Sequence, residues 1–456
     1  MGVTDEAVRT GQGQAHQITW RSLCMRFTPS LTAALVYFGY IALWHFHYPF
    51  YLSVISWFDA PPGNAPYGDL SAVLMAIGCA HQGASVLVPN ACMHGGMFNY
   101  SPLLLHVPLF TLSPRDVMPA GLLSGMIFIA ACTGLPPPRN LAALGMRCVA
   151  LCSCAVTHAL ESGNIDALIF VICVAGLLLV QVGGIAALVG YAVVMAGGAT
   201  KFYPAALLVL VLRERRPVFI AIAAFITAAG LLFLLKFGND LVTILTSLPA
   251  GLPFAGVFGA MNVPFGFALL MLMPYLTLHP NVPEFFAAVD HPYVAPYIAL
   301  CTKALVIAGI VSGFQLSPRY QSWVGNIVPD RLIFLVGGAA LLSFCFDLTG
   351  NFDYRGIFLL LPLAGLGGTV PAVQDKAAVH RLQLVILFLL WDRFLRRSVE
   401  VLAVELLGAK HAVWPEIAFW LVREYCWWWL VVRLSAIVIA FIKLRLPSVL
   451  PNSRVA

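Results

Sequence analysis

The chain has 456 residues, of which 60% are hydrophobic and only 10% are charged. Soluble domains average roughly 45–50% apolar and about 25% charged residues, so this composition excludes an ordinary soluble globular protein. The net charge of +6 comes from basic residues in short clusters between apolar segments, which indicates membrane topology and argues against a nucleic-acid partner. Because one crossing needs about 20 apolar residues, the sequence predicts an all-α, polytopic integral membrane protein with about 12 transmembrane helices.

The first part of the chain sets the predicted topology. Segment 1–30 is mixed and polar and has no signal-peptide layout, so we expect it to stay in the cytoplasm. Segment 31–50 is the first predicted span, and it places segment 51–116 outside. That outer loop is too long for an ordinary connection, and we expect it to carry function. The further predicted spans are 117–135, 141–160, 165–180, 185–200, 202–212, 217–235, 293–313, 332–346, 356–370, 382–391 and 417–442.

Clusters of Lys and Arg mark the predicted cytoplasmic side. They lie at 136–139, 213–216, 318–319, 376–381 and in the tail around Lys443 and Arg445. An even number of spans separates successive clusters, so both ends are expected inside. Segment 241–283 is interrupted by five prolines before its last residue, Pro283, which favours outer half-helices over two kinked spans and makes 237–292 a second outer, partly membrane-dipping segment. Without an internal repeat or linker, 1–456 is expected to form one membrane domain.

Ionisable and polar residues collect at the predicted outer ends of the spans. Such residues are costly near a membrane and are functional candidates by default. They are Asp69, Glu161, Asn164, Asp166, Lys201, Asp347, Asp353 and Arg355. Their shared side indicates an outward-facing active site in which a lipid-borne substrate meets a polar one.

Each candidate residue has a functional and a structural interpretation. Asp69 is placed to act as a general base or to cap a helix. In the 161–166 turn, Asp166 is placed to bind substrate or to satisfy amide groups of a new helix. Lys201 is a candidate phosphate ligand or a snorkelling cation. Arg355 offers a second phosphate contact that Asp353 orients, or the two form only a local ion pair.

Other polar and aromatic residues support weaker expectations. Cys79 and Cys92 share the outer loop, so they either form a disulfide or stay unpaired thiols, the default. No Cys and His spacing of the kind that holds zinc is present, and His81, His94 and His106 of the outer loop, which are irregularly spaced, are weak candidates for ligands of a divalent ion. Trp427, Trp428 and Trp429 are typical of an aromatic belt at the outer interface.

Four short motifs follow one another in a fixed order. They are Asp69 ahead of Asn99-Tyr100-Ser101-Pro102, the Glu161-Ser162-Gly163-Asn164-Ile165-Asp166 turn, the Lys201-Phe202-Tyr203-Pro204 turn before an Arg-rich loop, and the Asn351-Phe352-Asp353-Tyr354-Arg355 turn. Together they resemble the bacterial GT-C glycosyltransferases of glycosyltransferase family 87, also known as the domain of unknown function 2029 group. That group includes mycobacterial polyprenyl-phosphate-mannose-dependent mannosyltransferases. The resemblance extends from about residue 69 to about residue 429.

The resemblance implies an inverting transferase that moves a mannose-like hexose or a pentose from a polyprenyl-phosphate donor to a lipid or glycan acceptor. It assigns the general base to Asp69 and the donor phosphate to Lys201 and Arg355. The other motif residues bind substrate or are structural: Asn99, Tyr100, Glu161, Asn164, Asp166, Tyr203, Asp353 and Tyr354. It further implies a GT-C-like fold in a bacterial cytoplasmic membrane, with the site facing the periplasm or the cell exterior.

Two departures and two rival functions accompany the resemblance. Ser101 stands where the family often has Pro, and Ser162 stands where Arg is common, so the sugar and the acceptor stay open. A pair of cations stabilises a leaving phosphate without a metal, so we expect no cofactor besides the donor and no metal dependence. The rivals are a secondary transporter or lipid flippase, and a non-catalytic assembly partner. The two matching halves typical of transporters are not evident in the sequence.

Overall fold

A computed structural model describes residues 20–58, 65–106, 114–246, 254, 256–276, 294–348, 350–367, 376–408 and 411–449. These residues are mainly helical. Two short strands, β1 (Val257–Phe258) and β2 (Asn351–Phe352), pair antiparallel with Val257 opposite Phe352. Several of the helices are long and apolar enough to cross a bilayer, so the chain is an all-α membrane protein.

Many of the helices follow one another closely along the chain, but residues 82–116 separate α3 from α4. The α-helices are α1 (Trp20–Phe46), α2 (Tyr48–Trp57), α3 (Gly68–His81), α4 (Val117–Cys132), α5 (Leu141–Leu151), α6 (Cys154–Glu161), α7 (Ile165–Val182), α8 (Gly184–Thr200), α9 (Arg216–Thr246), α10 (Asn262–Leu276), α11 (Val294–Asn326), α12 (Pro329–Leu348), α13 (Leu360–Leu366), α14 (Lys376–Leu390), α15 (Asp392–Leu407) and α16 (Val413–Val449). The 3₁₀ helices are Ala91–Met93, Pro102–His106, Pro114–Asp116, Tyr203–Arg213 and Asp353–Leu359.

Within the described ranges, six helices qualify as membrane spans by length and composition: α1, α7, α9, α11, α12 and α16. Helices α5 and α6 qualify as a pair, although they bend by 41° at a short break. Other predicted spans are shorter helices. For example, α4 and α8 have 16 and 17 residues, which is about 24–26 Å at 1.5 Å per residue.

Helix α12 lies at the centre of the bundle. In the most apolar 18-residue stretch of α12, 83% is buried inside the protein, whereas only 6% of the corresponding stretch is buried in α9 and in α11. The apolar surfaces of α9 and α11, such as Leu232 and Leu300, are exposed and suit contact with lipid chains. Trp427 of α16 is 2% exposed, and its ring stacks on Phe258 with centroids 4.1 Å apart. The expected aromatic belt is therefore wrong for Trp427, which is a core residue.

Several boundaries differ from the sequence-based expectation. Helix α1 begins at Trp20, inside the segment expected to be a polar N-terminal region. Helix α11 continues through Pro318 to Asn326, beyond the end expected at residue 313, so the basic mark at 318–319 lies within a helix. Proline cannot donate to the carbonyl four residues earlier. The Ser317 hydroxyl instead donates to that group, Phe314 O, at 2.7 Å, and the helix continues.

The described parts of the second expected outer segment, 237–292, comprise the end of α9, strand β1 and α10. Helix α9 enters it and ends at Thr246. Helix α10 follows, and its buried Phe265 and Leu269 form a small apolar cluster with Ile298 of α11. Ser247 and Thr277, at which labelling would decide the topology of 241–283, lie outside the described residues.

Two buried arginines identify one end of the bundle. Arg147 of α5 donates to Pro136 O and Arg331 of α12 donates to Pro137 O, each at 2.5 Å. The proline-rich turn and the start of α12 therefore lie at the same end. Helix α12 then extends for 20 residues, about 30 Å, to the opposite end, where β2 and Arg355 follow it.

A disulfide joins Cys79, near the end of α3, to Cys92 of the 3₁₀ helix Ala91–Met93. The default expectation of unpaired thiols is therefore wrong. The bridge closes a loop with a sequence separation of 13 residues. A loop of this size loses about 3 kcal/mol of unfolded-state entropy when it is cross-linked.

We expect reduction of the Cys79–Cys92 bridge to lower the stability of the protein by about 2–4 kcal/mol, because the unfolded chain regains that entropy. The measurement is the thermal unfolding midpoint of the purified protein with and without dithiothreitol. A Cys79→Ser/Cys92→Ser variant is the control, since dithiothreitol should leave its midpoint unchanged. Equal shifts in both proteins would assign the effect to other cysteines.

Candidate functional site

The predicted polar residues meet around the carboxylate of Asp166, which is 0% exposed. Its Oδ1 accepts a hydrogen bond from Lys201 Nζ at 2.6 Å and another from the Tyr203 hydroxyl. Its Oδ2 lies 3.3 Å from Arg355 Nε. The structure thus joins residues from three distant motifs, together with Asp69 and Asn164 described next. We call the resulting set the site cluster: Asp69, Asn164, Asp166, Lys201, Tyr203 and Arg355.

The local sequence explains why Asp166 faces inward at a helix start. Gly163 has a φ of 63°, a left-handed conformation that glycine adopts without a steric penalty, and the chain turns there. Asn164 then caps α7, because its Oδ1 accepts from the backbone N of Asp166 at 2.9 Å. The capping role expected for Asp166 therefore belongs to Asn164. The carboxylate of Asp166 is left to bind the cations.

Asn164 also connects Asp166 with Asp69. Its Nδ2 donates to Asp69 Oδ2 at 2.6 Å, while its Oδ1 caps α7. One side chain therefore fixes the distance between the two carboxylates. Asp69 itself is half-buried, and its Oδ1 has no hydrogen-bond partner among the described residues.

The start of α3 is fixed to the 161–166 turn by backbone hydrogen bonds. The N of Tyr67 donates to Glu161 O at 2.6 Å, and the N of Asp69 donates to Ser162 O at 2.9 Å. Tyr67, with a left-handed φ of 71°, occupies the cap position, and Asp69 lies in the first turn. Asp69 is therefore not the N-cap, and backbone hydrogen bonds fix its position beside the 161–166 turn.

Lys201 follows α8 and lies inside the protein, so the alternative of a snorkelling cation is wrong. It is 8% exposed, and its ammonium group lies 4.7 Å from the centroid of the Tyr100 ring. Burial lowers the pKa of this ammonium group to about 8, against the opposing attraction of Asp166. The Lys201 ammonium group therefore contacts both the Tyr100 ring and the Asp166 carboxylate.

Arg355 takes its partners from other motifs and not from Asp353. Its Nε pairs with Asp166, its Nη1 donates to Asn351 Oδ1, and its guanidinium lies 5.7 Å from the Tyr203 ring. Asp353 instead pairs with Arg393 and with His158 Nδ1, the latter at 3.4 Å. The expected Asp353–Arg355 pair is therefore wrong in both interpretations. Asp166 orients Arg355.

Two predicted site residues lie apart from the cluster. The Asn99 side chain is exposed. The Glu161 carboxylate accepts a hydrogen bond from Tyr51 of α2 at 2.6 Å, so only its backbone carbonyl, which accepts from Tyr67 N, supports the start of α3. Tyr354 lies at the edge of the cluster, because its hydroxyl interacts with the Asn164 side chain while its ring packs edge-on against His158 with centroids 5.3 Å apart.

A second buried ionic network lies beside the site cluster, and sequence analysis missed it. Arg423 Nη2 donates to Glu424 Oε1 at 2.8 Å and to Val257 O at 2.8 Å. Asn262 Nδ2 donates to the same Glu424 oxygen at 2.6 Å. These residues, together with Asp353, its partners and the neighbouring Asp392, are buried, and we call them the Asp353 network: His158, Asn262, Asp353, Asp392, Arg393, Arg423 and Glu424.

The Asp353 network has a recognisable signal in the sequence. Arg423-Glu424 is a pair of adjacent opposite charges within the mainly apolar helix α16, and Asp392-Arg393 is another such pair, directly after the apolar run that ends α14. Charges in such stretches are retained when they pair with one another. Asp353 and Arg355 flank Tyr354, so one short 3₁₀ segment contributes to both charged sets.

The site cluster combines a carboxylate with a free oxygen and two cations that share one counter-ion. Among the described residues, Asp166 is the carboxylate that pairs with both Lys201 and Arg355. The two cations carry one positive charge more than Asp166 neutralises, and Asp69 is the second carboxylate of the cluster. In this buried setting a charged group interacts more strongly with an ion than it does in water. The arrangement is chemically suited to bind a phosphate next to a proton acceptor, Asp69.

In the described parts of the chain, metal-binding side chains do not gather in one place as the charged residues of the site cluster do. Across the described ranges, His, Cys, Asp and Glu form no group of three that is placed to hold a metal ion. Comparison of the chain with protein-family models, with curated proteins and with solved structures finds no match in any of the three. The chemistry of the site cluster is therefore the basis for a functional conclusion.

Proposed function

We propose that this membrane protein is a glycosyltransferase that moves a hexose or pentose from a polyprenyl-phosphate donor to a lipid or glycan acceptor. The observation that supports it is the site cluster, in which Asp69 lies beside two cations that share Asp166. The proposal agrees with the resemblance to glycosyltransferase family 87. The donor serves as a co-substrate, and no other cofactor is proposed.

The proposed reaction is a single displacement with inversion. Asp69 takes the proton of the acceptor hydroxyl, whose oxygen attacks the anomeric carbon. The bond from that carbon to the phosphate oxygen breaks, and the electron pair stays on the departing phosphate. Lys201 and Arg355 stabilise its negative charge, with the Arg355 guanidinium able to contact two phosphate oxygens.

The membrane arrangement forms part of the proposal. We infer that 1–456 forms one GT-C-like domain with about 12 crossings in a bacterial cytoplasmic membrane, and that the site cluster faces the periplasm or cell exterior. The Cys79–Cys92 disulfide supports this side, since disulfides persist in oxidising compartments. The basic residues around the 136–139 turn at the other end of α12 support a cytoplasmic position there.

The experiment that tests the proposal is a transfer assay with the purified wild-type protein. A panel of radiolabelled polyprenyl-phosphate sugars serves as donor, and a crude membrane lipid extract serves as acceptor. Transfer of label from one donor would establish the reaction class and name the sugar. Parallel reactions with EDTA should proceed at the same rate, as expected for metal-independent transfer. No transfer and no hydrolysis from any donor would favour the transporter or assembly-partner alternatives.

Donor affinity is expected to depend on pH through Lys201. Its pKa is lowered to about 8, so the ammonium group is charged below pH 8 and becomes neutral above it. We therefore expect the donor KM to rise as the pH increases from 7 to 9. Steady-state kinetics over this range provide the measurement.

A Lys201→Arg variant is the matched control for this pH dependence. A guanidinium group stays charged throughout the range, so the rise in donor KM above pH 8 should disappear. An unchanged pH profile in Lys201→Arg would assign the titration to another group and contradict the role of Lys201.

A further inference from the structure

A cavity of about 370 Å³ lies at the end of the bundle away from the site cluster. Cavities of roughly 300–1,000 Å³ are typical of small-molecule sites. The walls come from the end of the 3₁₀ helix Tyr203–Arg213, the end of α11, the start of α12 and the end of α16. Four separate elements therefore enclose a space of ligand size.

Two elements connect this cavity with the site cluster. Tyr203, at one end of its 3₁₀ helix, binds Asp166, whereas Arg213, at the other end, lines the cavity. The first turns of α12 line the cavity through Leu332 and Ile333, and its last residue leads towards β2 and Arg355. Since α12 is about 30 Å long, the cavity and the site cluster lie near opposite membrane faces.

Arg213 lines this cavity and is incompletely paired. Its Nε lies 3.6 Å from Glu214 Oε1, and its buried Nη1 has no hydrogen-bond partner. That Glu214 oxygen also accepts from the Tyr191 hydroxyl at 3.0 Å. Buried polar atoms nearly always have a partner, and a missing one is costly, most of all for a charged group. A ligand oxygen in the cavity would offer the Arg213 guanidinium a further partner.

The remaining lining indicates the chemistry of that ligand. Arg445 supplies a second guanidinium, and both arginines prefer phosphate or carboxylate oxygens. The other walls include the apolar side chains of Leu210, Ile333 and Phe441. Two cations beside apolar walls suit a phosphate attached to a hydrocarbon chain. We propose that this cavity binds a phosphate group, supplied by a lipid headgroup or by a free phosphate, at the membrane face opposite the site cluster.

The inference does not depend on the proposed transferase activity, and its test is a binding experiment. The purified full chain in detergent is titrated with dioctanoyl phosphatidylglycerol, dioctanoyl phosphatidylcholine or inorganic phosphate, and the unfolding midpoint is followed. The proteins are wild type, Arg213→Gln, Arg445→Gln and Arg319→Gln. Arg319 is an exposed arginine of α11 outside the cavity lining, so its variant is the control for loss of charge. Arg445 is exposed on its own helix, so its variant should fold even if Arg213→Gln does not.

The expected result is binding of phosphatidylglycerol, and not of phosphatidylcholine, by wild type and Arg319→Gln. Its affinity should fall about tenfold or more in Arg213→Gln and Arg445→Gln, because each loses a charged hydrogen bond to phosphate. Inorganic phosphate that reproduces the same dependence on both arginines would also support the site and identify a free phosphate as the source. Equal affinities in all four proteins, or equal binding of phosphatidylcholine, would overturn the proposal.

Discussion

Replacement of Asp69 by Asn is expected to lower the rate of sugar transfer about 10²- to 10⁴-fold, the usual contribution of a general base. The amide keeps the shape of the carboxylate but does not accept the proton of the acceptor hydroxyl. Because Asp69 is half-buried and lies in the first turn of α3, the substitution should leave the fold and the donor affinity nearly unchanged. The measurement compares kcat and donor KM in the transfer assay.

Asp330→Asn is the matched control for this prediction. Asp330 also lies in the first turn of an α-helix, but at the start of α12, away from the site cluster. Loss of a first-turn carboxylate costs a few tenths of a kcal/mol in each case, so the two variants should have similar thermal stability. Full activity of Asp69→Asn would overturn the base assignment. Loss of folding in that variant alone would show a structural role instead.

Asp166→Asn is expected to produce the largest loss of stability, about 3–5 kcal/mol. The variant leaves two buried cations, Lys201 and Arg355, without the carboxylate that pairs with both. It also weakens the hydrogen bond from Tyr203. The measurement is the thermal unfolding midpoint in detergent, followed by binding of the donor at a temperature where both proteins are folded.

A double variant separates loss of charge balance from loss of packing. Lys201→Met in the Asp166→Asn background removes one of the orphaned cations, so we expect it to recover part of the stability. Contacting residues typically couple by about 0.5–3 kcal/mol. If the two substitutions instead add independently, the Lys201–Asp166 pair does not stabilise this part of the fold.

Much of the site cluster was predictable from sequence because its members lie where apolar runs are interrupted. Asn164, Asp166 and Lys201 mark helix ends, and Arg355 follows a span. A polar side chain at such a break is placed either towards water or into a shared polar site. The order of these breaks predicted which residues lie near one membrane face.

The pairing of charges was not predictable, because a buried ion pair depends on packing across the bundle. Asp353 lies two residues from Arg355, yet it pairs with Arg393 and His158 from other elements. Glu161 lies in the same turn as Asp166, but its carboxylate turns towards Tyr51. Neighbours along a 3₁₀ helix or a turn point in different directions, so proximity in sequence misled the interpretation.

The hydropathy pattern also did not predict the bend between α5 and α6 or the full length of α11. Apolar content predicts that a span exists, but it does not distinguish one straight helix from two bent by 41°. Where α11 continues past Pro318, the Ser317 hydroxyl donates to the carbonyl that the proline leaves without its usual donor. Such local replacements of a lost hydrogen bond leave little trace in hydropathy.

The charge balance around Asp166 has a consequence for biosynthesis. During translation, Asp166 is synthesised 35 residues before Lys201 and 189 residues before Arg355. During membrane insertion α7 is therefore made, with Asp166 in its first turn, before either of the cations that pair with this acid exists. Lys201 neutralises it next, and Arg355 completes the set only after most of the chain has been translated. A nascent chain stalled before residue 355 should carry the acid and the lysine in place but no finished anion site.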